Sequence, residues 1–334
     1  MITYANLQKH PSAAPSLIGM TLSAFDSLYA EFEVAHPLRL EHIPLTRRHK
    51  QPRQRARGAG RRYRYALRDR LLMTLFWLRV YSTYEAIGFF FAMNKTNVED
   101  NLKDCLATLE TLADFAFERP GKDRRKLRTV QAVMDAFPDV ALVIDAKEQR
   151  IQRPKSQKPT PEEGQAPCET AQATDTQKPY YSGKQKAHTL KNQIAVRPDG
   201  YIEALSPSVP GGENHDITLL RASRLLDKLA PEEAAMMDKG YDGIHNDYPD
   251  TRIYQPYKAR RNHPLTHEQK VYNRFLSKYR IVVEHTNAQL NKFQVLAQVF
   301  RHQRDGHTQM VRVVAGLVNR QIAARPLKTY QAAA

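Results

Sequence analysis

Val140-Ala-Leu-Val-Ile-Asp145 is a short apolar run, β-branched at Val140, Val143 and Ile144, that delivers one carboxylate at its end. It is too short for a core helix and fits a buried strand. Two downstream segments answer it. Met236-Met-Asp238-Lys-Gly-Tyr241 places a second acid after the apolar run Ala234-Ala-Met-Met237, and Tyr279-Arg-Ile-Val-Val-Glu284-His sets a third into the apolar side of a long helical segment. An unpaired acid is expensive to bury there. Three converging carboxylates repel one another unless a cation compensates, and Mg²⁺ or Mn²⁺, with hard oxygen ligands, suits them. Taken singly, Asp145 and Asp238 read equally well as strand-terminal turn residues, and Glu284 as the i,i+4 partner of Arg280. The joint pattern is harder to obtain by accident.

Outward from Asp145 the chain supplies the rest of a sheet. After Ile151 it turns polar, and the stretch 155–179, with Pro159, Pro161, Pro167 and Pro179, reads as a long exposed loop, disordered in the free protein. A strand follows from Tyr180 to Val196. Pro198-Asp-Gly200 is a turn, and Tyr201-Ile-Glu-Ala-Leu205 returns. His215-Asp216 caps a helix carrying Leu219, Leu220, Leu225 and Leu226. The Asp238 strand comes next, then a fifth at Thr251–Pro256, then a long helix after Pro264 and a last amphipathic helix over Met310–Ile322. Strand, strand, strand, helix, strand, strand, helix is an α/β plan with a mixed sheet flanked by helices. It matches the ribonuclease H arrangement, in which the first strand is central and the fourth lies beside it. This domain is expected over 129–330.

Ahead of it the chain is helical. Residues 1–46 suggest one helix near Thr21–Val34, started by Thr21 or Ser23. From Arg47 to Arg70 eleven Lys or Arg, Arg61, Arg62 and Arg64 among them, stand against the single acid Asp69. Such an arm suits phosphate contacts that weaken as salt rises, although a charge run is often only a solvated face. Ala66–Tyr81 reads as a core helix. Ser82-Thr-Tyr-Glu85 and Thr96-Asn-Val-Glu99 read as capping boxes around the turn Ala92-Met-Asn-Lys95. Helix, tight turn, helix is the geometry that sets a second helix into the major groove, with Lys95, Thr96, Asn97 and Lys103 near DNA. An ordinary αα-hairpin is the plainer alternative. Residues 47–128 thus read as a basic arm plus helix-turn-helix, ending at the basic connector 122–128.

The 334 residues suffice for two domains, and 51 Lys and Arg against 35 Asp and Glu give a net charge of +16, which calls for a polyanionic partner. No apolar run approaches the length of a membrane span and no secretory signal is visible, so DNA in a cytoplasmic, nucleoid-associated setting is expected. Cys105 on an apolar helical face and Cys168 in a polar tract agree with a reducing compartment. His263 and His267 have helical metal-ligand spacing but no evident further ligand.

Asp145, Asp238-Lys-Gly-Tyr241 and Arg280-Ile-Val-Val-Glu284 together resemble DDE transposases of bacterial insertion sequences, in particular the insertion sequence 5 family and its Harbinger relatives. The resemblance covers nearly the whole chain and includes Ile151-Gln-Arg-Pro154, Tyr181-Ser-Gly-Lys-Gln-Lys-Ala-His188-Thr-Leu-Lys191 and Pro210-Gly-Gly-Glu-Asn-His-Asp216. It implies a ribonuclease-H-like catalytic domain with Asp145, Asp238 and Glu284 as ligands of two Mg²⁺ ions, Mn²⁺ substituting. It also implies hydrolysis at the terminal inverted repeats of an element, attack of the freed 3′-hydroxyl on target DNA, and a homodimer or higher oligomer on double-stranded DNA. Two positions depart from the family's helix signature. Ser277 stands where it has Tyr and Asn291 where it has Lys, with Tyr279 and Lys292 the nearest substitutes. Lys184, Lys186 and His188, alternating along one strand face, and Lys191 read either as DNA-backbone contacts near the acids or as solvated edge-strand residues, and Lys239, Arg280 and Lys292 are further expected backbone contacts. A DNA-binding regulator with an inactive catalytic domain, and a metal nuclease that does not join, remain as alternatives.

Overall fold

The computed structural model describes residues 1–41, 65–112, 137, 139–155, 177–259, 261 and 263–324. Most of the basic arm, with Arg61, Arg62 and Arg64, the connector 122–128, Cys168 and most of the 155–179 loop lie outside the described residues. The described part forms two units. One comprises the residues up to 112 with Asn291–Val295 and Gln309–Ala324; the other comprises 137–290 with Leu296–Thr308.

In the first unit three helices stand where one was expected: α1 (Tyr4–Lys9), α2 (Ala14–Ile18) and α3 (Leu22–Glu41). Local capping explains the division. Thr3 Oγ1 accepts the Asn6 N–H at 3.2 Å, Gly19 ends α2 at φ +81°, and Thr21 Oγ1 accepts the Ala24 N–H at 3.3 Å. Next come α4 (Leu67–Val80), α5 (Tyr84–Phe91) and α6 (Lys95–Leu112). The caps of α5 and α6 differ from the expected boxes. Thr83, not Ser82, accepts from Ala86, and Asn94, not Thr96, accepts the Asn97 N–H at 2.8 Å. Ala92 turns the chain through φ 50°, which brings Asn94 into capping position, while Glu99 pairs forward with Lys103 at 2.7 Å. The turn closes so tightly that a Cβ on Gly88 would strike the Met93 carbonyl oxygen. Val98, Leu102, Cys105 and Leu109 are buried on one stripe, as their spacing predicts.

The second unit is a mixed sheet. Strand β1 (Val140–Arg150) pairs antiparallel with β3 (Ala187–Val196), whose far edge takes β2 (Tyr181–Ser182), β5 (Val209–Pro210) and β4 (Ile202–Leu205). On its other side β1 runs parallel to β6 (Ala234–Met237), and β6 parallel to β7 (Arg252–Tyr254). The first strand is therefore central, with the Asp238 strand beside it, as the pattern predicts. One expected strand is broken: residues 183–186 form a turn, so Lys184 and Lys186 do not alternate with His188 along a strand. Gly183 opens that turn and Lys186 sits at φ 48°.

Leu142, Ile144, Ala235 and Met237 turn one sheet face onto Leu220, Leu225, Leu226, Tyr241 and Ile244. Leu220 belongs to α7 (Asp216–Ser223), Leu225 and Leu226 belong to the 3₁₀ turn after it, and α8 (His267–Asn291) is the long helix expected after Pro264. After the short α9 (Gln294–Ala297) comes α10 (His307–Ala323), most of which belongs to the helical unit rather than to the sheet domain expected over 129–330. Val313 and Leu317 lie with Leu28, Leu109 and Leu112, Arg320 pairs with Glu31, and Gln309 Nε2 donates to Glu110 at 2.7 Å.

Candidate active site

Ile144 of β1 and Met237 of β6 are directly paired, so the next residues, Asp145 and Asp238, project to the opposite face from neighbouring parallel strands about 4.8 Å apart. Asp145 does not end its strand. β1 continues to Arg150 beside β3, and it is β6 that stops. Asp238 then caps the 3₁₀ turn Lys239–Tyr241, its Oδ1 accepting the Gly240 N–H at 2.6 Å, and Gln255 Nε2 donates to its carbonyl at 2.8 Å.

Helix α8 reaches both acids. Arg280 Nη2 lies 3.9 Å from Asp238 Oδ2, and Asn287 Nδ2 donates to Asp145 Oδ2 at 3.3 Å. Residues 280, 284 and 287 share a helix face, so Glu284 sits between these two contacts, about one turn from each. Its side chain is exposed. Among the described residues no group of three His, Cys, Asp or Glu is close enough to hold a metal ion, so two acids are joined while the third stands on the helix between their partners.

Burial pushes the Asp145 carboxyl up from its ordinary value. The Ala146 N–H and the Arg280 charge oppose this, and the nearby charges of Asp238 and Asp216 add to it. Three buried polar atoms of the surrounding residues, Arg280 Nε, Asn287 Oδ1 and Tyr241 Oη, have no hydrogen-bond partner. Buried polar groups are ordinarily satisfied. Adjacent hard-oxygen donors that repel, with the unpartnered Asn287 Oδ1 on the residue bound to Asp145, fit a divalent cation.

Asp216 belongs to the same neighbourhood, and sequence reasoning placed it only as a helix cap. It is instead the first residue of α7 behind the N-cap His215. Its Oδ1 accepts from Lys191 Nζ at 3.0 Å, and its Oδ2 would lie 2.5 Å from a Cβ on Gly240, with Asp238 Oδ1 2.9 Å from the same point. The block Pro210-Gly-Gly-Glu-Asn-His-Asp216 was the available signal. Replacing Gly240 by Ala is therefore expected to displace the Asp238 carboxylate and cut Mg²⁺-dependent DNA cleavage at least tenfold while circular dichroism is unchanged. Undiminished cleavage would show that the Asp238 position is not critical.

Lys191 departs most from its expected role as a phosphate contact. It is 7% exposed and its ammonium is committed to Asp216, to Glu148 at 3.4 Å and to the Asn214 carbonyl at 2.8 Å. Lys147 was missed altogether. It shares a strand face with Asp145, and burial brings its pKa down to about 8 against the raising influence of Asp145. Lys184, Lys186 and Lys239 are exposed, and His188 packs edge-to-face on Tyr181. In the helical unit Thr96 and Asn97 are exposed and Lys95 pairs with Glu85 at 2.8 Å. Lys292 lies in the turn after α8 rather than on it, its carbonyl accepting from Arg79, so its angular position on the helix has no meaning. Tyr279 packs on Phe137 and Phe275.

Two acids leaving adjacent parallel strands of a mixed sheet, faced by a helix that carries a third, make the frame of a DDE-type nuclease. The family model described as DDE superfamily endonuclease matches residues 144–319, and the chain belongs to this family. A probable transposase for insertion sequence element IS702 from Microchaete diplosiphon is 28% identical over 270 residues, covering 80% of this chain and 84% of the relative. This agrees with the insertion-sequence resemblance of the motifs. The Mos1 strand transfer complex overlays with a TM-score of 0.27 at 12% identity, over 81% of this chain and 74% of that one. The Mos1 paired-end complex with the left transposon end gives 0.24 at 12%, over 87% and 79%. Overlays at such scores carry no argument about the site.

Proposed function

We propose that the chain is a transposase that binds the terminal inverted repeats of its element, hydrolyses the DNA at those ends and joins the freed 3′-hydroxyls to target DNA. The observation that carries this is the pair Asp145–Asp238, with Glu284 presented between their partners Arg280 and Asn287 on α8. The sheet is read as ribonuclease-H-like. Asp145, Asp238 and Glu284 would hold two Mg²⁺ ions, with Mn²⁺ as a substitute. Such ions stabilise both the attacking and the leaving oxygen of an in-line phosphoryl transfer.

The chain's own residues set the geometry. Asn287 orients Asp145, Arg280 holds Asp238 and offers its remaining donors to a phosphate, and the Lys191–Asp216 pair supports the Gly240 turn. Lys184, Lys186, His188 and Lys239 would meet the DNA backbone nearby. In the helical unit α5, its turn and α6 serve as the helix-turn-helix, with the arm at Arg61, Arg62 and Arg64 adding phosphate contacts. Only the first turn of α6 suits the groove, through Lys95, Thr96 and Asn97, because Glu99 and Asp100 follow. Two element ends need two copies, so a homodimer on DNA is expected.

The test supplies inverted-repeat DNA with Mg²⁺, once intact and once pre-cut with a free 3′-hydroxyl, to wild type and to Glu284→Gln. Wild type should cut the first and join the second, and Glu284→Gln should lose both while binding persists. Joining that survives Glu284→Gln would refute the ligand assignment. Cleavage without joining would leave a nuclease, and binding without either a regulator.

A further inference from the structure

The first half of α8 is unusual for a helix of the sheet domain. Over 267–278 only Leu276 is buried, and Val271 and Phe275 are 51% and 41% exposed. Tyr257, after β7, is 49% exposed yet firmly held. Its N–H donates to Asn273 Oδ1 at 2.8 Å, and Asn273 Nδ2 donates back to its carbonyl at 2.9 Å. A two-point clamp on the backbone fixes an aromatic ring that the core does not use. The ring meets Tyr272 edge-to-face at 5.3 Å, and Phe275 is steadied by Phe137 at 5.5 Å and Tyr279 at 4.9 Å. Lys278 neighbours Phe275 one turn on, and Lys270 and Arg274 continue its stripe every fourth residue along the exposed side of the helix, all three exposed. Glu268 is the one acid on this half of the helix.

A row of immobilised rings alongside a stripe of exposed cations is the combination that binds unpaired nucleic acid, bases stacking on the rings and phosphates following the cations. A duplex covers its base faces and has no use for the rings. A second copy of this chain would bring like charge against like. We propose that Tyr257, Tyr272 and Phe275, with Lys270, Arg274 and Lys278, form a subsite for an unpaired DNA segment beside the point of cleavage. The location rests on the reading of Asp145 and Asp238 as the place of the scissile phosphate. Gln255, two residues before Tyr257, holds the Asp238 carbonyl, and Arg280 approaches the Asp238 carboxylate. Phe275 and Tyr272 lie about 7.5 and 12 Å along the helix from Arg280. A strand running along the helix would therefore reach these rings within a few nucleotides of the reacting phosphate. The bases there would be held apart from their complements while the strand end is cut and handed on.

The experiment measures binding of a single-stranded oligonucleotide and of a forked inverted-repeat end, carrying 2-aminopurine three nucleotides from the cut, to the full chain in EDTA. Wild type should bind both and change the 2-aminopurine emission. Tyr257→Ala and Phe275→Ala should each weaken single-strand binding about 5- to 150-fold, and Phe275→Trp should restore it, which separates lost stacking from lost folding. Unchanged single-strand affinity in both alanine variants overturns the proposal. So does a light-scattering mass that falls from dimer to monomer in these variants with strand affinity intact, since the rings would then be a contact between copies. Because no metal or cleavage is involved, the subsite can stand while the catalytic reading fails, and the reverse.

Discussion

Asparagine in place of Asp145 is expected to abolish Mg²⁺-dependent cleavage of end DNA and, in the absence of metal, to make the protein more stable. The two effects share one cause. Burial, then the charges of Asp238 and Asp216, raise the Asp145 carboxyl above its unfolded value, with the Ala146 N–H and Arg280 only partly opposing them. A carboxyl raised in this direction favours the fold below its unfolded value, and that contribution is lost as pH rises through the folded value. The buried carboxylate therefore costs the metal-free fold stability above that range. Asparagine keeps the shape, and its Oδ1 can still accept from Asn287, but it carries no charge. We expect a higher Tm than wild type in EDTA. Mg²⁺ should raise the Tm of wild type and leave Asp145→Asn where it was. Cleavage should fall by about three orders of magnitude or more, since a lost ligand removes several kcal/mol of charge stabilisation at 1.36 kcal/mol per tenfold. A variant that melts lower in EDTA would contradict that cost, and one that still cuts would contradict the site.

What the sequence revealed and what it hid divide along a physical line. Strands buried on both faces announce themselves, so β1 and β6 and the acids that follow their paired residues were readable. The order of elements then determined that the two lie side by side. Hidden features are those decided by what covers a residue. In Tyr180–Val196 the alternation of polar and apolar residues gave no sign that Glu148 and Asp216 close over Lys191, and Gly183 was the only hint that Lys184 and Lys186 sit in a turn. The residence of α10 with the N-terminal helices depends on partners such as Glu31 and Glu110, far away in the chain, and its own amphipathic pattern is silent about them. Caps were missed by a residue or two for a related reason. Asn94 outcompetes Thr96 only once Ala92 has taken its left-handed conformation.

Replacement of Asp104 by Ala should be the most destabilising single change in the helical unit. One carboxylate there serves three partners: it accepts from the guanidinium groups of Arg39 and Arg70, and it pairs with the His36 ring at 2.8 Å. These partners tie α3 and α4 to α6, the helix whose first turn is proposed to enter the groove. Burial alone would push the Asp104 carboxyl up. The His36 hydrogen bond and the Arg70 and His36 charges outweigh it and hold the group at about 2. A carboxyl lowered in this way adds stability above its unfolded value near 3.8, and that stability disappears as pH falls through about 2. Arg70 is 2% exposed, and besides Asp104 it donates to Asn101. Breaking one side of a buried pair costs about 3–5 kcal/mol, far more than deleting an exposed pair such as Lys103–Glu99. Urea unfolding of Asp104→Ala should show a loss of that size, with weaker binding of inverted-repeat DNA because α6 is no longer anchored. A loss under about 1 kcal/mol would mean that water reaches Arg70 and that the network is not the clamp on α6. Lys103→Ala, on the exposed side of the same helix, should stay within about 0.5 kcal/mol of wild type.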